Sequence, residues 1–92
     1  MIRVELPNVF CSQPNDRTSV VLKRECGTIA EALSSLGEES PGALDRIMDE
    51  QGDVRRHVNI FLNDDNIRFL DGLSTRVPKD ATIFVLAAVS GG

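Results

Sequence analysis

Cysteine, histidine and positive charge are all scarce in this chain of 92 residues, which holds two cysteines and one histidine. Cys11 and Cys26 form neither a Cys-x-x-Cys pair nor a metal-ligand spacing, so no metal site is expected and both read as free thiols, with a disulfide between them the alternative. His57 stands alone, with no cysteine or carboxylate pattern around it to make it catalytic. Ten lysines and arginines face fourteen aspartates and glutamates, for a net charge of −4 and a pI near 4.8. That balance excludes the basic footprint of a nucleic-acid binder and suits a soluble protein whose partners present positive surfaces. No apolar run is long enough to span a bilayer, so no membrane association is expected. The first residues, Met1-Ile2-Arg3-Val4-Glu5, lack the apolar core of a signal peptide, which makes the expected location cytoplasmic. No internal repeat or low-complexity segment is present. What remains is one domain, with 41% apolar residues to build a modest core.

The apolar residues are spaced to build an α+β domain. Ile2, Val4 and Leu6 alternate with Arg3 and Glu5, as in a strand with one buried face, and Pro7 marks its end. Turn residues fill 12–17, and Thr18 to Leu22 predicts a second strand. Thr28 and Glu31 match a capping box, and Ile29, Ala32, Leu33 and Leu36 share one helical face. Gly37 stands where a helix C-cap is expected. Ser40-Pro41 predicts the start of a short second helix with Leu44, Ile47 and Met48 on one face. Residues 49–56 read as a polar loop ending in Arg55 and Arg56, a solvated charge pair or a partner contact. His57 to Leu62 predicts a third strand, with Phe61 on its polar face. Ile67 to Phe69 reads as a short return strand, and Leu73 and Val77 as core anchors. Thr82 to Val89 is apolar on both faces, as in a central strand covered on both sides. One good helix covers only one face, so the other is left for a partner or for a loop.

The final strand runs into Ser90-Gly91-Gly92. A terminal glycine pair arises by chance in some chains, but its place directly after the most apolar strand suggests a tail. Glycine lacks a Cβ and can thread a narrow channel that larger residues cannot enter. The expected organisation is a domain over 1–89 and a flexible tail over 90–92.

A hairpin, a crossover helix and a final central strand parallel to the first make the β-grasp, or ubiquitin-like, arrangement: a mixed sheet packed on one main helix. With the ending Leu86-Ala87-Ala88-Val89-Ser90-Gly91-Gly92 and the segment Val58-Asn59-Ile60-Phe61-Leu62-Asn63, the chain resembles the ubiquitin-like sulfur carriers of the thiamin and molybdopterin-synthase small-subunit kind. Arg56 to Asn63, Asp64-Asp65 and Ile67-Arg68-Phe69 look most similar to the sulfur carrier of the cysteine pathway that starts from O-phosphoserine. The chain departs from many relatives in carrying Lys79-Asp80-Ala81 before the last strand, where a Gly-Asp turn is common, and Ala87-Ala88 where proline is frequent.

The resemblance implies a protein co-substrate and not an enzyme. Gly92 would carry the chemistry at its α-carboxylate, with Ser90 and Gly91 as the slender approach. Phe61, Phe84, Leu86 and Ala88 would form the docking face, with ordinary core packing as the alternative. Implied partners are an E1-like adenylyltransferase and sulfurtransferase, which uses ATP while the carrier itself binds no cofactor, a sulfur-accepting biosynthetic enzyme, and a metalloprotease. Two competing readings share the tail or dispense with it: a modifier joined through Gly92 to lysines, and a plain β-grasp binding module. Cys26 is read as a packing residue, with a sulfur relay as the alternative.

Overall fold

The computed structural model describes residues 1–7 and 19–87. Five strands form one mixed sheet: β1 (Arg3–Glu5), β2 (Ser19–Val21), β3 (Val58–Leu62), β4 (Asp65–Asn66) and β5 (Thr82–Ala87), in the spatial order β2-β1-β5-β3-β4. The last strand is central, parallel to the first, with Val4 opposite Ile83, and antiparallel to β3, with Ile60 opposite Val85. Parallel neighbours cannot be joined by a tight turn, so the chain between them must cross over. Two helices lie in that stretch, α1 (Ile29–Glu39) and α2 (Pro41–Ile47). The mixed sheet on one main helix is therefore the β-grasp arrangement expected from the sequence.

The period-2 and period-3.6 patterns meet in one core. Val4, Val58, Ile60, Ile83 and Val85 from the sheet are buried with Ile29, Leu33 and Leu36 from α1 and Ile47 from α2. Val77 joins them, and Leu73 packs at their edge. Helix α1 starts on a capping box: Thr28 Oγ1 accepts from the Glu31 N–H at 3.3 Å. The Glu31 carboxylate reaches back one residue further than usual, to the Gly27 N–H at 2.7 Å.

Three local expectations are corrected. Gly37 is not the cap of α1, which runs on to Glu39. A Cβ at Gly37 would meet the Leu44 side chain, so the glycine is what lets α2 approach α1 closely. The helix ends where Pro41 follows, the residue before proline being pushed out of the helical region. In α2 the buried face is Ala43 and Ile47, with Leu44 and Met48 only partly buried. Ile67–Phe69 is a 3-10 turn and not a return strand, because Asn66 Oδ1 accepts from the Arg68 N–H at 2.9 Å and curls the backbone there. Strand β4 is confined to Asp65–Asn66 before it.

Both ends of the β3–β5 pair are pinned. Asn63, with φ of 55°, turns the chain out of β3. Its N–H donates to the Thr82 carbonyl at 2.8 Å, and its side-chain oxygen accepts from the Thr82 N–H at 3.1 Å. At the opposite end Val58 faces Ala87, the last described residue of the central strand.

Candidate functional site: the open face of the sheet

The central strand alternates between buried and exposed positions. Ile83 and Val85 are fully buried against the helices, whereas Phe84 is 37% and Leu86 47% exposed on the opposite face. Expected as apolar on both faces, β5 is therefore covered on one only, among the described residues. Its neighbours continue the same face. Phe61 of β3 lies directly opposite Phe84 and is half-buried, and Glu5 of β1 lies opposite Phe84 on the other side. Asn59 faces Leu86, and Asn66 of β4 faces Phe61. The result is a short apolar ridge, Phe61-Phe84-Leu86, set among polar groups on the one sheet face that neither helix covers. Cross-strand aromatic neighbours on one face support each other, so the ridge is held by the sheet without being buried in it.

Three of the four docking residues named from the sequence are thus brought together. The fourth, Ala88, lies outside the described residues, as do Ser90, Gly91 and Gly92, and so does Cys11. The described part of the central strand reaches Ala87, which pairs with Val58 at the start of β3.

The remaining titratable candidates do not gather into a catalytic centre. His57 is exposed. Cys26 is buried, its Sγ 3.7 Å from the Arg24 carbonyl. Burial pushes its thiol up, and the nearby Arg24 guanidinium only partly opposes this. A thiol held protonated is a poor nucleophile, which favours packing over sulfur relay. Among the described residues no group of three or more histidine, cysteine, aspartate or glutamate side chains could hold a metal ion. No described helix is long and apolar enough to cross a membrane.

Sequence reasoning missed Phe69 and Leu70. Phe69 is 86% exposed and Leu70 43% exposed, just after β4. Alternation of Ile67 and Phe69 fits a strand with both residues inside. The signal against it was Asn66, a residue whose side chain competes for the backbone N–H two positions on.

A five-stranded β-grasp sheet, with an apolar ridge on its last strand exposed among the described residues, defines a ubiquitin-like protein. The chain belongs to the ThiS family, whose model matches residues 8–92. It is 30% identical to the sulfur carrier protein CysO of Mycobacterium tuberculosis over 93 residues, covering 99% of this chain and 98% of that protein. It is 34% identical to small archaeal modifier protein 3 of Haloferax volcanii over 65 residues, covering 71% of this chain and 70% of that protein. Among solved structures, it matches a chain of the Amycolatopsis orientalis BexX/CysO complex with a TM-score of 0.86 and 26% identity, covering all of both chains. The two curated relatives are a sulfur carrier and a modifier.

Proposed function

We propose that this protein is a sulfur carrier whose working group is the α-carboxylate of Gly92. The observation that carries the reading is the end-to-end similarity to a sulfur carrier protein, joined to the open apolar ridge on the strand that leads into the Ser90-Gly91-Gly92 tail. An α-carboxylate is ionised at neutral pH and is a poor electrophile. In the proposed cycle it attacks the α-phosphorus of ATP in an activating enzyme and releases pyrophosphate. The acyl-adenylate then has AMP as its leaving group. Sulfide adds to the acyl carbon and AMP departs, so Gly92 ends as a thiocarboxylate. A protein persulfide would first give an acyl disulfide. A second thiol then cleaves it, releasing the thiocarboxylate and forming a disulfide with the persulfide's own carrier sulfur. The thiocarboxylate sulfur, nucleophilic near neutral pH as a thiolate is, attacks an activated small molecule in an accepting enzyme of a biosynthetic pathway, cysteine formation or another route to a sulfur metabolite.

Water must be kept from the acyl-adenylate, which favours a tail thin enough for a closed channel. The protein supplies no acid, base or metal to any of these steps. It supplies a deliverable carboxylate and a face by which each enzyme recognises it. The carrier binds no cofactor in this cycle, and ATP belongs to the activating partner. The complex of the Amycolatopsis orientalis CysO with BexX supports the idea that carriers of this shape are bound by other proteins. A metalloprotease would belong to the cycle if the sulfur-containing product stays joined to the Gly92 acyl group through an amide, whose hydrolysis releases the product and regenerates the carboxylate.

The similarity to a small archaeal modifier favours one second reading, conjugation of Gly92 to lysine amines after the same activation. Removing Gly91 and Gly92 tests the tail in both. With the host's activating enzyme and ATP, the shortened chain is expected to release no pyrophosphate while melting as the full chain does. Partner binding unchanged without the two glycines, together with no adenylation of the full chain, would leave only a plain binding module.

A further inference from the structure

The net charge of −4 describes the molecule as a whole but not the end from which the tail departs. Strand β5 ends at Ala87 opposite Val58, so residues 56–58 border the tail's origin. Arg68 is brought to the same place. Its Nη2 donates to the Arg56 carbonyl and to the Val58 carbonyl, both at 3.2 Å. Carbonyl oxygens hold this guanidinium in position without cancelling its charge. The Arg56 side chain is exposed, and neither Arg56 nor Arg68 takes part in any ion pair among the described residues. Three other cations are matched locally, Lys23 by Glu39, Arg24 by Glu38 and the N-terminal amine by Asp80, whereas Arg3, Arg55, Arg76 and Lys79 also take part in no ion pair among the described residues. Next in the chain to Arg68 stands Phe69, 86% exposed. Arginine and aromatic side chains are the types that recur at the energetic centres of protein interfaces.

We propose that Arg56, Arg68 and Phe69 form a cationic collar around the tail's origin that docks on carboxylates rimming the channel of the activating enzyme. This rests on the sulfur-carrier reading and adds a second contact to the apolar ridge. The collar's position sets what it touches. Five residues, 88–92, reach at most about 17 Å when extended, so a tail engaged to its end brings the collar against the channel mouth. The collar addresses the rim and not the chemistry within. Overall acidity suggests partners with positive surfaces, but the collar requires the opposite sign at this one end.

The test measures AMP formation by the host's activating enzyme with ATP and a sulfide source, using the full chain and single variants. Arg56→Glu is the probe and Lys79→Glu the control. Lys79 is exposed in the turn before β5, at the far end of the central strand, and its reversal changes net charge equally. The wild-type KM is expected to rise with salt across about 50 to 300 mM, a range over which screening tightens markedly. Arg56→Glu is expected to raise KM about tenfold with kcat unchanged and to flatten that salt dependence, as a reversed rim charge does. Lys79→Glu should behave as wild type, and Phe69→Ala should raise KM without altering the salt dependence. All variants should melt with the wild type. Equal effects of Arg56→Glu and Lys79→Glu would overturn the collar while leaving the carrier reading intact. A wild-type chain that the enzyme does not adenylate would overturn both.

Discussion

Adjacent positions of the central strand should separate stability from binding. Ile83 is fully buried, so Ile83→Ala removes apolar volume from a closed core. Such truncations cost about 2–5 kcal/mol, because a cavity adds to the lost transfer energy. For a domain of this size each kcal/mol lowers Tm by roughly 4–8 °C, so a loss of ~3 kcal/mol predicts a fall of about 12–24 °C. Leu86 is 47% exposed, so about half of its surface is already in water. Full burial of leucine is worth roughly 1.5–3 kcal/mol, which limits the stability loss of Leu86→Ala to about 1 kcal/mol. The other half of that surface would be buried by the partner. With packing added, the loss in binding is about 2 kcal/mol, or roughly a thirtyfold weaker Kd, the scale of an interface anchor. Thermal unfolding followed by circular dichroism, and calorimetric titration against the activating enzyme, read the two effects separately. The reasoning fails if Leu86→Ala melts as early as Ile83→Ala, which would mean the face is covered, or if it leaves Kd unchanged.

Other consequences are local. Thr28→Ala removes the side-chain acceptor for the Glu31 N–H and should cost about 1 kcal/mol, visible as a Tm lower by several degrees, whereas Thr28→Ser should retain most of the cap. Asp49 Oδ1 accepts from the Asp53 and Gln51 N–H groups, which hold its carboxyl below the usual aspartate range. Its folded pKa is thus depressed, so its contribution is present above the unfolded value of about 3.9 and is lost as pH falls through the folded one. Urea midpoints of wild type and Asp49→Asn should differ at neutral pH and converge as pH drops below that value; a difference that persists in acid would contradict this origin. In a Cys11→Ser background, Cys26 should react with a disulfide reagent much more slowly than free cysteine and become fast on unfolding in urea. Free reactivity in the native state would reopen a sulfur-relay role.

The elements written by spacing were the ones legible in the sequence. The Thr28–Glu31 box and the Ile29-Ala32-Leu33-Leu36 face located α1, and the double apolar character of Thr82 to Val89 placed the last strand at the centre of the sheet. The same reasoning left one sheet face for a partner, and Phe84 and Leu86 are exposed there. Features that depend on contacts remote in sequence were less readable. Gly37 carries a cap signature, yet its smallness answers to Leu44 across the helix pair. Ile67 and Phe69 alternate like strand residues, yet one Asn66 hydrogen bond turns the chain and puts Phe69 into water. The convergence of Arg56 and Arg68 was hidden for the same reason, since it arises only when the turn after β4 folds back along β3.

The central claim is that Gly92 carries sulfur. The most direct measurement is the mass of the C-terminal peptide of the protein purified from its own host, before and after incubation with the activating enzyme, ATP and a sulfide source. The account predicts a gain equal to exchanging one oxygen for sulfur, confined to the fragment ending at Gly92 and shifted again by alkylation of that sulfur. Localisation separates it from methionine oxidation at Met1 or Met48, which adds nearly the same mass. An unchanged C-terminal peptide, with the enzyme shown to be active, or a Gly92 found joined to lysines of other proteins, would contradict it.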